Sequence, residues 1–206
     1  MIAIIDYGVG NLFSLSSSLK AVGADAVITG DRELIKKADR LILPGVGAFG
    51  DAMEKLKSDG LDSLIKEETA GGKPLLGICL GMQLLFERSY EFGKHSGLGL
   101  IKGEVVPMAG RIPENLKIPH IGWNALELKG DCPIFRDIEN GDFVYFVHSF
   151  FADGCEESLK ASTEYGIKIT AAAANGNIFG CQFHPEKSGK TGLKILHAFC
   201  GLEEKQ

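Results

Sequence analysis

The chain has 206 residues, 45% of them hydrophobic and 24% charged, a balance that can bury one sizeable core and predicts a single domain over 1–206. Its formal net charge is -5 and its lysines and arginines are scattered, which argues against a nucleic-acid or membrane-surface binder, and no apolar run reaches membrane-spanning length. Five cysteines without CxxC spacing fit neither a disulfide framework nor a zinc site, and the opening MIAIIDYG lacks the pattern of a signal peptide, so a reducing, cytoplasmic setting is expected.

In chain order, short apolar runs rich in β-branched residues alternate with amphipathic stretches. A strand at 2–5 is followed by a helix at 12–21, a strand at 26–28, a helix at 34–38 and a strand at 41–43. Helix-like segments at 52–58 and 61–69 lead to a buried strand at 74–78 and a helix beginning near Leu80. This βαβαβ order predicts an α/β fold with a doubly wound, mostly parallel central sheet. Beyond about residue 100 the character changes, with strand-like runs at 101–106, 118–121, 143–147, 159–162, 169–174 and 178–183. Their short connections favour hairpins, so the second half is expected to add mixed or antiparallel strands to the same core, closed by a helix near 191–199.

The run from Pro74 to Gln83 reads strand, sharp turn, helix, with G-x-C-x-G at the turn. This is a cysteine form of a nucleophile elbow: glycines on both sides let the backbone turn tightly, and the central residue projects from the carboxyl edge of the sheet. Amides and dipole at the start of the next helix would favour a thiolate at Cys79 and could also hold an oxyanion. A cysteine in such a run can equally be an inert core residue, so a second motif has to decide.

That motif is Gln182-Phe183-His184-Pro185-Glu186-Lys187-Ser188. Proline holds the preceding histidine extended, and residues two apart in an extended segment share a face. His184 and Glu186 then point the same way, the carboxylate fixing the imidazole tautomer, and with Cys79 they compose a Cys-His-Glu triad. Among the other histidines, His95 and His197 lack a suitably placed carboxylate. His120 and His148 lie in strand-like runs and stay open as core residues, substrate contacts or competing bases.

The segment Leu43-Pro44-Gly45-Val46-Gly47-Ala48-Phe49-Gly50 matches the dinucleotide pattern G-x-G-x-x-G. It is not the first βα turn, however, and the next strand ends at Cys79 instead of an acidic residue able to hold a ribose. An amide-donor loop explains the glycines better. The amide of Val46 or Gly47, with that of Leu80, would make a two-donor oxyanion hole.

On PGVGAFGDAM, GICLGMQLLF and QFHPEKSG, which span the three motifs, the sequence is identified as a member of the class I (triad) glutamine amidotransferases. The resemblance covers nearly the whole chain and implies that family's flavodoxin-like fold and hydrolysis of glutamine through a γ-glutamyl thioester, with no metal or organic cofactor. DYGVGN at 6–11 and KIPHIGWN at 117–124 resemble the histidine-biosynthesis branch, in which a (β/α)8-barrel cyclase subunit takes the ammonia and makes imidazole glycerol phosphate and AICAR. By position, the resemblance implies that Gln83 and Glu91 hold the amino-acid end of glutamine, with backbone groups near Ser149 and Phe150. It likewise sets Asn11, Trp123, Tyr145 and Lys187 toward the cyclase and the ammonia passage. At Phe150 the sequence departs from the family, which often has tyrosine directly after the serine; a backbone contact survives that change and a hydroxyl contact does not. Two rival readings keep Cys79: a glutaminase for another synthase, such as the one making pyridoxal phosphate, and a non-enzymatic redox sensor built on one reactive cysteine.

Overall fold

The computed structural model describes residues 1–202. The first half follows the alternating pattern: β1 (Ile2–Ile5), α1 (Leu12–Ala21), β2 (Ala26–Thr29), α2 (Arg32–Lys37), β3 (Arg40–Leu43), α3 (Phe49–Ser58), α4 (Leu61–Ala70), β4 (Leu75–Ile78) and the short α5 (Leu80–Leu84). There follow β5 (Phe86–Ser89), β6 (His95–Ser96), β7 (Ile101–Pro107), β8 (His120–Ala125), β9 (Glu127–Leu128), β10 (Phe143–His148), β11 (Phe150–Asp153), β12 (Leu159–Glu164), β13 (Lys168–Asn175), β14 (Ile178–Cys181) and α6 (Gly189–Cys200).

The central sheet has eight strands in the order β2-β1-β3-β4-β14-β13-β12-β9. Its first five are mutually parallel, and the other three add on antiparallel. β1 and β4 read IAII and LLGI, and every residue of both is buried, as expected of parallel strands covered on both faces. One apolar cluster, including Ile5, Leu43, Phe49, Leu64 and Phe86, fills one side of the sheet. A second, including Ile4, Leu15, Ile78, Phe146 and Phe199, fills the other. No helix among the described residues is long and apolar enough to cross a membrane.

The doubly wound, mostly parallel centre is as predicted, and the second half adds antiparallel and mixed strands to the same core, divided among three sheets. Of its strand-like runs, only those near 159–162, 169–174 and 178–183 join the central sheet. The run near 101–106 becomes β7 in a separate four-stranded sheet, β11-β7-β5-β6, and those near 118–121 and 143–147 pair with each other as β8 and β10. The physical reason lies in the side chains. β8 alternates His120 buried, Ile121 exposed and Trp123 exposed, so it has one dry face where a central strand needs two. Phe86–Ser89, placed nowhere by periodicity, is a strand that follows directly on the five-residue α5 and pairs parallel with β7.

Candidate active site

β4 ends at Ile78 and α5 begins at Leu80, leaving Cys79 to make the whole turn, with φ 54 and ψ -111. A positive φ is costly for a residue with a Cβ and persists where surrounding contacts impose it. Two such contacts are present: Cys79 N donates to Cys181 O at the end of β14 (2.8 Å), and Gln83 N donates to Cys79 O (3.2 Å). The flanking glycines are needed for space. A Cβ on Gly81 would lie 1.8 Å from Leu43 O, and one on Gly77 would lie 2.7 Å from Gly81 O. The end of β3 is thus pressed against the elbow, which is why the Pro44–Ala48 segment reaches Cys79. α5 has only five residues, so its influence comes from first-turn amides more than from a summed dipole.

Opposite Cys79 stands His184. Its Nδ1 lies 2.8 Å from Glu186 Oε1, and both side chains are almost fully buried. The turn that carries them is tied to β10: His184 N donates to Tyr145 O (3.0 Å), Ser188 Oγ donates to His184 O (2.6 Å), and Tyr145 N donates to Ser188 Oγ (3.0 Å). Burial by itself pulls the imidazole pKa down. The neighbouring Cys79 and the hydrogen-bonded Glu186 carboxylate outweigh it and lift the value to about 9. His184 is therefore an imidazolium at neutral pH. Oε2 of Glu186 is buried without a hydrogen-bond partner, so the carboxylate's principal compensation is that imidazole.

Cys79 and His184 line one cavity of about 470 Å³, together with Val46, Gly47, Leu80, Gln83, Glu91, Ser149, Phe150 and Lys187. All predicted triad-wall, oxyanion and substrate positions thus converge, apart from Glu186 itself, which sits behind His184. Gln83 is buried, not an exposed helix-face residue. Its Nε2 donates to Phe150 O (3.1 Å) and Gln182 Oε1 (3.0 Å), which leaves its own carbonyl oxygen for the cavity. Ser149 O is already taken by Met108 N. Among the described residues no cluster of three or more His, Cys, Asp or Glu side chains is placed to hold a metal.

Both open histidines acquire definite positions. His148 lines the cavity, but its two nitrogens are spent, Nδ1 lying 2.8 Å from Phe150 O and Nε2 3.0 Å from His120 Nδ1. Burial pushes His148 down to about 4, so it is neutral where His184 is charged. His120 is stacked between Phe146 and Tyr165 and faces Asn124 with its other nitrogen, which makes it a core residue. Sequence reasoning missed Val147, Gln182 and Phe92. Val147 O and Gln182 Nε2 each lie 3.8 Å from Cys79 Sγ. Phe92 is exposed at the cavity rim with φ 52, edge-on to Phe150. Only the neighbourhood of Gln182 to His184 could have signalled any of the three.

Of the partner-side set, Trp123 and Tyr145 are register partners across β8 and β10 with rings 6.0 Å apart, and Lys187 Nζ lies over the Tyr145 ring at 6.0 Å. Asn11 caps α1, its side chain accepting from Ser14 N. Phe13, Ile121, Trp123 and Phe143 are all more than half exposed.

A family model described as glutamine amidotransferase class-I matches residues 3–200. The chain is 56% identical over 200 residues to imidazole glycerol phosphate synthase subunit HisH of Caldanaerobacter subterraneus subsp. tengcongensis, covering 97% of each chain. It is 52% identical to the protein of the same description from Lactococcus lactis subsp. lactis, covering 98% of each. A crystal structure described as a glutamine amidotransferase superposes with a TM-score of 0.76 at 17% identity, over 98% of this chain and 100% of that one. Another crystal structure of a glutamine amidotransferase, from Thermotoga maritima, gives 0.63 at 18% identity, over 96% and 81%. At such identities the two structures speak to the fold.

Proposed function

The chain belongs to the class I glutamine amidotransferases, and on that premise we propose that it is the glutaminase subunit of an imidazole glycerol phosphate synthase, hydrolysing glutamine for histidine biosynthesis and passing ammonia to a cyclase subunit. The observation that carries the reading is the meeting of Cys79 with a Glu186-paired His184 in one cavity large enough for an amino acid. Near-full-length similarity to relatives of that one description favours this synthase over the pyridoxal phosphate one. In this reading residues 1–206 work as one amidotransferase domain.

In the proposed cycle, Cys79 sulfur attacks the side-chain carboxamide carbon of glutamine. Amides of Leu80 and of Val46 or Gly47 hold the developing oxyanion. His184 gives its proton to the departing nitrogen, ammonia leaves, and a γ-glutamyl thioester remains. Water then attacks the thioester, with the now neutral His184 taking its proton, and glutamate is released with Cys79 restored. Splitting the hydrolysis in two suits a soft nucleophile beside a pre-formed acid. Gln83 and Glu91, with backbone near Ser149 and Phe150, would hold the amino-acid end, where the free Gln83 carbonyl and the Glu91 carboxylate suit an ammonium group.

The exposed Ile121, Trp123 and Phe143 share one face of the β8–β10 pair with Tyr145, over which Lys187 lies, and this apolar face supports docking of the cyclase there. The test is glutamate release by the purified chain, alone and with the cyclase and its nucleotide ligand. Weak release alone and strong stimulation in the complex are expected, and neither in Cys79→Ala. Equal release from wild type and Cys79→Ala would sink the triad. Stimulation by the pyridoxal phosphate partner alone would reassign the pathway.

A further inference from the structure

Catalysis as proposed needs a backbone amide from residues 44–48, yet the middle of this loop has little packed against it. Val46 is 44% exposed, and Gly47 has φ +97 with no atom near the place of a Cβ. Both ends, in contrast, are held by side chains from distant segments. At the first end the buried Tyr7 hydroxyl donates to Pro44 O at 2.8 Å. A Cβ on Gly45 would lie 2.8 Å from that hydroxyl and 3.0 Å from Gly81 N, so the loop is wedged between the phenol and the elbow.

At the other end α3 begins at Phe49, and its N-cap, Ala48, supplies no side-chain acceptor. The missing cap comes from across the cavity: Phe49 N donates to Glu91 Oε2 at 2.6 Å. Helix N-termini need such acceptors, and a carboxylate is well suited to the role. The same carboxylate lines the cavity, with Oε1 left for a ligand.

We propose that Tyr7 and Glu91 are positioning residues that clamp the two ends of the 44–48 loop, Tyr7 as a fixed anchor and Glu91 as a cap that also senses the amino group of bound glutamine. This rests on the glutaminase reading and adds to it how the loop is placed. One carboxylate then answers to two donors, the Phe49 amide and the substrate ammonium, so filling the cavity and setting the loop are linked. Tyr7 lies in the DYGVGN segment and reaches the loop through its bond to Pro44 O.

The two roles of Glu91 separate in a pair of variants. Glu91→Gln keeps an oxygen to accept from Phe49 N and loses the charge: KM for glutamine should rise about tenfold with kcat within twofold of wild type, measured in the complex with cyclase. Glu91→Ala loses both and should add a tenfold drop in kcat, the size expected for one lost hydrogen bond to a positioned group. Tyr7→Phe, which preserves the ring, should lower kcat about tenfold and leave KM unchanged. Amide hydrogen exchange across 44–52 reads the loop without catalysis. It should quicken in Tyr7→Phe and Glu91→Ala and stay at the wild-type rate in Glu91→Gln. Wild-type kcat in Tyr7→Phe, equal kcat in the two Glu91 variants, or unaltered exchange in Tyr7→Phe and Glu91→Ala would each overturn the clamp. A wild-type chain that releases no glutamate while its variants show the exchange pattern would sink the glutaminase reading and leave the clamp standing.

Discussion

The cavity has two unlike walls. On the triad wall the reacting side chains are set by neighbours: Cys79 N is bound to Cys181 O, His184 N to Tyr145 O, the His184 imidazole to Glu186, and the His184 carbonyl to Ser188. On the wall formed by 44–48 the segment between its two end contacts is exposed and carries a left-handed glycine. In the proposed cycle, then, nucleophile and acid are preset, while the oxyanion donor can be adjusted at low cost. Loops with few buried contacts are where proteins place their regulated motions. A partner that raises turnover has little to gain by moving His184 and much to gain by fixing Val46 or Gly47.

The harshest test of this contrast is on the preset wall. Cys79→Ala should reduce glutamate release at least about 10⁴-fold, since loss of a nucleophile removes the covalent route entirely. Thermal stability should fall only modestly, because alanine keeps the same turn and removes just the Cys79 share of what holds the His184 imidazolium. A residual rate within tenfold of wild type would shift the chemistry away from the elbow.

Glu186→Gln is expected next in size, at about 10²-fold in kcat, because the amide can still bond to Nδ1 but cannot hold the imidazolium. It also carries a pH signature. The pKa of folded His184, about 9, lies above the ordinary histidine value, so its stabilising contribution is complete below about pH 6.5 and is lost as pH rises through about 9. Wild-type stability should fall across that window by up to about 3 kcal/mol, and Glu186→Gln should fall less. Parallel curves in chemical denaturation at pH 6, 7.5 and 9 would show that the pair does not carry this charge.

Gly81→Ala probes the join between the walls. Its Cβ would meet Leu43 O at 1.8 Å, which is backbone and cannot swing aside. Either the elbow or the end of β3 must shift, and displacement of reacting atoms by a fraction of an ångström suffices for a tens-fold loss of kcat. Activity within twofold of wild type would mean that the elbow has slack.

These contrasts were unequally legible in the sequence. G-x-C-x-G and His-Pro-Glu each encode a local backbone shape, so Cys79, His184 and Glu186 could be read from spacing alone. The βαβ alternation up to Cys79 was equally plain, because buried parallel strands are short unbroken apolar runs. What stayed hidden depends on distant segments meeting. The departure of β7, β8 and β10 from the central sheet is set by pairing choices that a hairpin pattern does not distinguish. Nor does any local signal say that Glu91 caps a helix beginning at Phe49, or that Tyr7 reaches Pro44. Asn11, which family likeness sets toward the partner, also caps α1.

The smallest expected effect belongs to the adjustable wall. Gly47→Ala meets no neighbouring atom, so its only cost is a Cβ at φ +97, about 1 kcal/mol if that conformation is kept. Because Val46 and Gly47 are exposed, the backbone can relax to negative φ and escape most of the cost, at the expense of where its amide points. Stability should therefore change by less than about 1 kcal/mol while kcat falls about fivefold and KM holds, a loss of oxyanion placement without loss of fold. If Gly47→Ala instead lowered the melting temperature as much as Gly81→Ala and spared kcat, the loop would be a rigid part of the scaffold. The contrast between a preset and an adjustable wall would then be gone.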